Sequence, residues 1–276
     1  MRWTPGGSSE DVEDRRDQGG GGGMGRSGLG IGGVLLLGIL SFIFKRDLIS
    51  PFLGGGDAPV ASTADPARTQ AEQPQVDFVT FVLNDVQQTM GRVVPNYQKT
   101  KLVLFRDVTR SACGIAESAT GPFYCPGDGK VYIDLGFYDE LSQRFGAPGK
   151  FAQAYVLAHE VGHHVQNLMG IDQRVRQLQQ SNPSQQNALS VRMELQADCF
   201  AGVWAHSTAE RNILEAGDVE SGLAAAAAVG DDRIQRLRGG GVAPERFTHG
   251  SSAQRVQWFK VGMEQGSLKA CDTFAR

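Results

Sequence analysis

The sequence predicts a helix-rich α+β domain with a small antiparallel sheet, preceded by one transmembrane helix. Three observations lead to this prediction. Apolar residues recur at helical spacing through most of the chain after residue 75, only two short runs have β character, and one long uncharged stretch lies near the N-terminus. A chain with 41% hydrophobic and 21% charged residues is neither a disordered polyelectrolyte nor a multi-span membrane protein. The net charge of -3 gives no electrostatic reason to expect a nucleic-acid partner.

The first 26 residues are predicted to be a disordered, glycine-rich leader. Of the 36 glycines in the chain, 16 lie within the first 56 residues, including the run from Gly19 to Gly23. A mixed-charge stretch from Glu10 to Asp17 is the other main feature of the leader. Such a composition has few residues that can build a core, and it is typical of disorder.

Residues 27–45 are predicted to form a transmembrane helix. The 18 residues from Ser27 to Phe44 carry no charge, and Arg26 and Lys45 flank them. As a helix they would be about 27 Å long, close to the thickness of about 30 Å of a hydrocarbon core. A cleaved signal peptide and a buried helix of the domain are the alternatives. The anchor is favoured because 26 residues with five acids precede the run and no clear A-x-A site follows it.

The positive charges predict the orientation of this span. The leader contains four arginines, against Lys45 and Arg46 after the span, so the leader is expected in the cytoplasm. The chain would then be a single-pass protein of the cell membrane, with its main domain on the extracytoplasmic, periplasmic side. Residues 46–75 are rich in Gly, Pro, Ala, Asp and Thr and predict a flexible linker, which leaves 76–276 for the domain.

The domain is expected to contain several helices and a few strands. Apolar residues from Val79 to Met90 lie three or four apart and Gly91 follows them, which predicts a helix over 76–91. The runs 102–105 and 131–135 are β-prone and predict strands. The same periodicity predicts the remaining helices over 151–168, 172–180, 187–206, 218–229 and 252–265.

The cysteines favour a compartment outside the cytosol. All four lie beyond the predicted span, and none forms a C-x-x-C pair. Of the three possible connectivities we favour Cys113 with Cys125, which closes a short loop, and therefore Cys199 with Cys271. Four buried free thiols are the alternative.

A metal-site motif lies in the middle of the domain. The segment 154–166 reads AYVLAHEVGHHVQ, in which His159, Glu160 and His163 match H-E-x-x-H. On a helix the two histidines lie one turn apart on one face, so both can reach one ion, and Glu160 lies about 100° round, near a metal-bound water. Zinc suits such ligands best, and we expect one Zn²⁺ per chain. Gly162 inside this helix costs about 1 kcal/mol relative to alanine, which suggests a close approach to the backbone there.

The third ligand is expected from a later helix. Glu194 and Asp198 share one face of that helix, and we assign Glu194 as the third metal ligand. Asp198 would accept the free N–H of a ligating histidine and fix its tautomer. The reverse assignment and an exposed acidic pair are the alternatives.

Three segments resemble the neutral zinc metallopeptidases of bacteria, which are single-pass membrane proteins with a C-terminal H-E-x-x-H domain. The segments are HEVGHHVQ at 159–166, RMELQADCFAGVWA at 192–205 and FTHGSSAQRVQWF at 247–259. The resemblance implies a zincin-like fold of the gluzincin branch, in which a downstream Glu completes the site and an Asp four residues later orients a histidine. By position these roles fall on Glu194 and Asp198. The gap from His163 to Glu194 is longer than in thermolysin-like enzymes.

These residues predict a zinc-dependent metallopeptidase that acts on peptide or protein substrates. Zinc would lower the pKa of its bound water and Glu160 would act as general base. His249, in the loop before the last helix, would be a flexible donor that stabilises the oxyanion. A histidine at the surface or near the N-cap of that helix is the alternative for His249. The strand at 131–135 is expected to pair with an extended substrate. The alternative is a catalytically inactive, zinc-stabilised extracytoplasmic interaction domain. The sequence does not determine the oligomeric state.

Overall fold

The computed structural model describes residues 1–5, 9–18, 65–118, 121–237, 239 and 241–275. Within these ranges the α-helices are α1 (Pro66–Ala71), α2 (Gln73–Val93), α3 (Gly136–Gln143), α4 (Lys150–Leu168), α5 (Ile171–Ser181), α6 (Gln186–Glu210), α7 (Asp218–Ala228), α8 (Asp231–Leu237) and α9 (Ser252–Gln265). The strands are β1 (Val12–Asp14), β2 (Lys101–Phe105), β3 (Val108–Ser111), β4 (Gly114–Glu117), β5 (Phe123–Cys125) and β6 (Lys130–Asp134). Short 3₁₀ turns lie at Pro183–Gln185, Pro244–Arg246 and Leu268–Cys271.

The helix-rich α+β prediction is confirmed. Each helix predicted from periodicity is present as α2, α4, α5, α6, α7 or α9, and the two predicted strands are β2 and β6. The shorter elements, such as α3, α8 and the strands of the β3–β4 hairpin, were not predicted. Their runs are too short to show a clear period in the sequence.

The prediction that the sheet is antiparallel is wrong for the main sheet. Its strand order is β1-β2-β6-β5, and β2 pairs in parallel with both β1 and β6. Only β5 is antiparallel, beside β6 at the edge, while β3 and β4 form a separate antiparallel pair. Parallel pairing requires long connections between strands. Here α2 lies between β1 and β2 in the chain. The β3–β4 hairpin and β5 lie between β2 and β6.

The described part of the leader is ordered, so the prediction of a disordered leader is wrong for residues 1–5 and 9–18. Val12 pairs with Leu102 at the start of the β1–β2 ladder, and the Trp3 ring packs edge-on against Phe78 at 5.3 Å between centroids. Several charges of the leader are paired with charges of the domain. Arg16, for example, is buried and its guanidinium lies 3.0 Å from the Glu72 carboxylate.

The end of the predicted linker is also ordered, and the domain begins before residue 76. The carboxylate of Asp65 accepts hydrogen bonds from the backbone N–H groups of Ala67 and Arg68, both at 3.1 Å, and Pro66 occupies the first turn of α1. Asp followed by Pro is a strong helix-start signal, which explains why a Pro-rich segment is helical here. Residues 46–64 of the predicted linker lie outside the described residues.

The predicted transmembrane helix at 27–45 also lies outside the described residues. Among the helices that the structure does describe, none combines the length and the apolar character needed to cross a bilayer.

The core surrounds α4, which packs against α2, α6 and α7. The most extensive helix pair is α6 with α9, and glycine makes their close approach possible. A Cβ atom on Gly262 would lie 1.9 Å from the carbonyl oxygen of Cys199, and one on Gly202 would lie 2.1 Å from that of Phe259. The backbones of the two helices are therefore in direct contact, and a disulfide from Cys199 to Cys271 links α6 to the segment that follows α9.

We expect Gly262→Ala to destabilise the domain by about 1 to 3 kcal/mol or more, because the added methyl group forces α6 and α9 apart. In a domain of this size, each kcal/mol corresponds to a fall in Tm of about 2 to 4 °C. Gly91→Ala is the matched control, since the nearest atom to its added Cβ is 3.8 Å away and alanine favours a helix. Thermal unfolding of both variants tests this, and equal shifts in Tm would contradict the close helix contact.

Candidate metal centre and active site

Two helices supply the residues of the candidate metal site. Helix α4 carries His159, Glu160 and His163, and α6 carries Glu194 and Asp198. The two imidazoles lie one turn apart on α4, with ring centroids 4.8 Å apart.

The three predicted ligands come together. Nε2 of His159 lies 3.2 Å from Oε2 of Glu194, and Nε2 of His163 lies 3.5 Å from Oε1 of the same carboxylate. In a tetrahedral zinc site with bonds of about 2.05 Å, neighbouring ligand atoms are about 3.3 Å apart. Two imidazoles and one carboxylate are also a ligand set that catalytic zinc uses. The separation and the chemistry of these groups both fit zinc.

The close approach expected at Gly162 is made by α6. A Cβ atom on Gly162 would lie 3.0 Å from the carbonyl oxygen of Ala197 and 3.1 Å from its Cα. Ala197 lies between Glu194 and Asp198 in the sequence, so the absence of a side chain at Gly162 lets α6 bring both carboxylates to the histidines.

Asp198 lies behind His159. Its side chain is fully buried, and its Oδ1 accepts a hydrogen bond from Nδ1–H of His159 at 2.9 Å. This bond leaves Nε2 of His159 directed at Glu194, so the two acids contact different nitrogens of one ring. The Tyr155 hydroxyl also donates to the Asp198 carboxylate.

Arg255 neutralises the buried Asp198 carboxylate, and sequence analysis did not identify it. Its Nε donates to Oδ2 of Asp198 at 2.7 Å and its Nη2 donates to Oδ1 at 2.9 Å. Arg255 is placed by the start of α9, where Ser251 and Gln254 form a capping box. That S-x-x-Q pattern is visible in the sequence and predicts a helix start, but it does not tell a buried arginine from an exposed one.

The pKa values of this cluster follow from burial and charge pairing. Burial alone would raise the pKa of Asp198, but Arg255 and His159 outweigh it and hold the pKa below its usual range. Burial lowers the pKa of His159, but the Asp198 and Glu194 carboxylates together outweigh it and raise the pKa to about 10. The two shifts have opposite directions because the carboxylate of Asp198 and the imidazole of His159 each favour the charged form of the other.

Glu160 and the three predicted ligands line a cavity of about 610 Å³. Glu160 is buried to 7% exposure, yet it borders the same cavity as the predicted ligands. Much of the remaining wall is apolar, formed by Phe123, Tyr124, Phe137 and Val156. The cavity therefore combines ionic and apolar lining residues.

His249 also borders this cavity, and Asp231 holds its loop in place. Oδ2 of Asp231 accepts hydrogen bonds from the backbone N–H groups of Thr248, His249 and Gly250 at 2.7, 2.7 and 3.1 Å. Its Oδ1 lies 3.1 Å from Nδ1 of His249. Burial lowers the pKa of His249, but Asp231 and Glu194 outweigh it and the pKa is raised. These four contacts connect the loop of the predicted flexible donor to Asp231, and nothing local in the sequence identified Asp231.

The strand expected to pair with substrate is not available. The predicted strand at 131–135 corresponds to β6, which has β2 on one side and β5 on the other, so it has no free edge. In the part of the chain that the structure describes, the edge strand on the far side of β6 from β2 is β5, whose Phe123 and Tyr124 line the cavity. The sequence could not distinguish the two because strand order depends on long-range pairing.

His164, which follows His163 on α4, forms a hydrogen bond with a residue of β5. Its Nε2–H donates to the carbonyl oxygen of Gln98 at 2.7 Å, so its Nδ1 accepts from the Tyr124 hydroxyl at 3.1 Å. Asn167 donates to the same hydroxyl at 2.7 Å. Burial lowers the pKa of His164, which favours this neutral form.

The four cysteines form two disulfides in the predicted pairing. Cys113, in the turn of the β3–β4 hairpin, is bonded to Cys125 at the end of β5. Cys199, next to Asp198 on α6, is bonded to Cys271. The alternative of four free thiols is wrong.

We expect Asp198→Asn to weaken zinc binding by about 10- to 100-fold, because His159 loses the carboxylate that orients its ring. The matched control is Asp85→Asn. Asp85 is another buried carboxylate, paired with Arg211 and Trp204, and it does not line the cavity. Both variants are expected to lose stability, but only Asp198→Asn should lose zinc affinity, measured by competition with a chelator. An equal loss of affinity in the two would contradict the orienting role of Asp198.

The comparisons with known proteins agree with the site. A family model described as "Putative neutral zinc metallopeptidase" matches residues 1–274. The chain is similar to "Uncharacterized protein YpfJ" of Escherichia coli strain K12, at 46% identity over 100% of this chain and 99% of the relative. It is also similar to "Uncharacterized protein Rv2575" of Mycobacterium tuberculosis strain H37Rv, at 45% identity over 70% of this chain and 68% of the relative. No solved structure gives a significant match. The chain belongs to the neutral zinc metallopeptidase family.

Proposed function

We propose that this protein is a zinc-dependent peptidase that hydrolyses bonds in peptide or protein substrates. The observation that carries the proposal is the position of Glu160, which borders the same cavity as the three predicted ligands without belonging to the ligand group. In the part of the chain that the structure describes, that group contains three residues, His159, His163 and Glu194. A structural zinc site usually has four protein ligands and needs no adjacent base, whereas a catalytic site keeps one position open.

Different residues of the cavity carry different steps of the proposed reaction. A zinc ion held by His159, His163 and Glu194 would polarise the substrate carbonyl and make a water molecule more acidic. Glu160 accepts the proton of the attacking water and returns it to the leaving amine. Asp198 keeps the proton of His159 on Nδ1 and so keeps its Nε2 free as a ligand atom.

His249 is the proposed donor to the oxyanion of the tetrahedral transition state. Its Nδ1 faces Asp231, so Nε2 is the ring nitrogen that remains to contact a substrate. Because Asp231 fixes both the ring and the backbone of the loop, this donor is preorganised, and preorganised donors are the ones that lower a reaction barrier most.

The substrate is proposed to be an extended peptide segment that adds to the free edge of β5. Such a segment would run along Phe123 and Tyr124, past the ligand group, with the apolar wall of the cavity contacting its side chains. Main-chain hydrogen bonds do not depend on side chains, so an edge strand can bind peptides of many sequences. This property suits a peptidase that acts on unfolded or flexible segments.

We also propose that the domain works outside the cytosol, in an oxidising compartment such as the periplasm. Two disulfides, one of them beside Asp198 on α6, support this location because disulfides persist in oxidising environments. Attachment to a membrane through residues 27–45 stays a prediction.

The first test is Glu160→Gln in the full-length chain, which is used because the leader packs on the domain. We expect one zinc ion per chain to be retained and hydrolysis of denatured casein to fall by about 10² to 10⁴-fold, since only the general base is lost. Glu194→Gln makes the same chemical change at a ligand and should lose both zinc and activity. Zinc content is measured by atomic emission.

Two outcomes would contradict the proposal. Equal casein hydrolysis by the wild type and Glu160→Gln would show that Glu160 is not the base. A wild-type chain that retains zinc and cleaves neither casein nor a mixture of random-sequence fluorogenic peptides would favour the alternative, an inactive zinc-stabilised interaction domain.

The second test is His249→Ala. We expect kcat to fall by about 10² to 10³-fold with little change in KM or in zinc content, because the lost hydrogen bond forms only in the transition state. A variant whose KM rises while kcat is unchanged would instead assign His249 to substrate binding.

A further inference from the structure

The second candidate histidine ligand, His163, contacts a side-chain amide on its own helix. Nδ1 of His163 lies 2.8 Å from Oε1 of Gln166, three residues later on α4. At the corresponding nitrogen of His159 the partner is the Asp198 carboxylate, so one histidine has a neutral partner and the other a charged one. Metal-ligating histidines usually donate the proton of their other ring nitrogen to such a partner, which fixes the ring and its tautomer.

The other contacts of Gln166 determine which atom of its amide faces His163. Its Nε2 lies 2.7 Å from the carbonyl oxygen of Met193 and 3.1 Å from Oε1 of Gln196, both on α6. A backbone carbonyl can only accept a hydrogen bond, so the amide nitrogen faces Met193 and the amide oxygen faces His163. That oxygen has no proton to donate, so the proton between them is on Nδ1 of His163. Nε2 is then the free nitrogen, and it lies 3.5 Å from the Glu194 carboxylate.

A second buried amide, that of Gln196, continues this chain of hydrogen bonds to the C-terminal segment. Its Nε2 donates to the carbonyl oxygen of Cys271 at 3.0 Å, so its Oε1 is the atom that accepts from Gln166. The C-terminal segment is itself fixed to α6. Cys271 forms a disulfide with that helix, and the Thr273 hydroxyl donates to the carbonyl oxygen of Arg192 at 2.7 Å. The chain of hydrogen bonds therefore ends at an anchored backbone group.

The amide of Gln166 is fully used by protein groups, although the residue borders the cavity. Its side chain is buried, and a side-chain amide has two N–H donors, which here face Met193 and Gln196. No donor of Gln166 is left for a substrate. A buried polar group whose partners are all satisfied holds one orientation, because any rotation would leave donors and acceptors unpaired at a cost of about 1 to 3 kcal/mol each. Gln166 is thus suited to hold His163, not to contact the reacting bond.

We propose that Gln166 is the positioning residue of His163, and that Gln196 anchors Gln166 to the C-terminal segment around Cys271. Gln166 keeps the proton of His163 on Nδ1 and its Nε2 free as a ligand atom. The C-terminal segment is thereby part of the metal centre, although none of its described residues belongs to the ligand group. This proposal rests on zinc binding at the site described above, but not on the general base or on peptide hydrolysis.

Zinc affinity, measured by chelator competition in the full-length chain, tests the proposal. Gln166→Met keeps a side chain of similar length but removes the amide, and we expect zinc to bind about 10- to 100-fold more weakly. Gln196→Met leaves Gln166 its contact with Met193, so we expect a smaller loss.

The matched control is Gln87→Met. Gln87 is another buried glutamine, whose amide accepts from the backbone N–H of Thr100 at 2.8 Å, and it does not line the cavity. This variant is expected to lose stability but no zinc affinity. Equal losses of affinity in Gln166→Met and Gln87→Met, or no loss in a folded Gln166→Met, would overturn the proposal.

The protonated nitrogen of His163 can be observed by NMR without zinc or substrate. A long-range ¹H–¹⁵N spectrum of the zinc-free chain is recorded at about pH 9, well above the ordinary pKa of an imidazole. We expect the Nδ1–H tautomer for His163, identified by the signal that His163→Gln removes, and a mixture of tautomers in Gln166→Met. An Nε2–H tautomer in the wild type would overturn the proposal, even if Gln166→Met does not fold. This result is independent of casein hydrolysis, so it separates the positioning role from the peptidase function.

Discussion

A single buried carboxylate, that of Asp198, links the three helices that build the site. It lies on α6, accepts a hydrogen bond from His159 on α4 and forms an ion pair with Arg255 on α9. A buried charge is tolerated only when it is paired and hydrogen-bonded, and removal of one partner leaves the other exposed to an apolar interior at high cost. The relative positions of these helices and the orientation of the first histidine therefore depend on the same set of contacts.

Close helix packing is the structural condition for this network. Gly162 lets α6 approach α4, and Gly202 and Gly262 let α6 approach α9 to backbone contact. The disulfide from Cys199 reinforces the same region, one residue beyond Asp198. Glycine in a helix normally lowers the stability of that helix. At these three positions it also shortens the distance between helices. That short distance brings the carboxylates of α6 within reach of both imidazoles of α4.

The N-terminal segment has a different physical role. Its mixed charges look solvated in the sequence, yet Arg16 and Asp17 are paired with Glu72 and Arg106 of the domain, and β1 completes one edge of the sheet. Charge composition alone cannot distinguish a solvated leader from one whose charges match a partner surface.

Local properties of this protein were determined by the sequence alone. The spacing of His159 and His163, the long periodic helices and the helix start at Ser251 each depend on residues a few positions apart, where helix geometry relates sequence distance directly to space. The tertiary structure alone decided that Glu194 faces Nε2 of His159 while Asp198 faces Nδ1. It also decided that Arg255 and Asp231 hold the site. Only the structure shows that the sheet is mostly parallel and that the leader belongs to the domain. Each of these features joins residues that are tens to about a hundred positions apart. Their contacts are selected by the packing and charge balance of the whole chain, for which no local pattern is a sufficient guide.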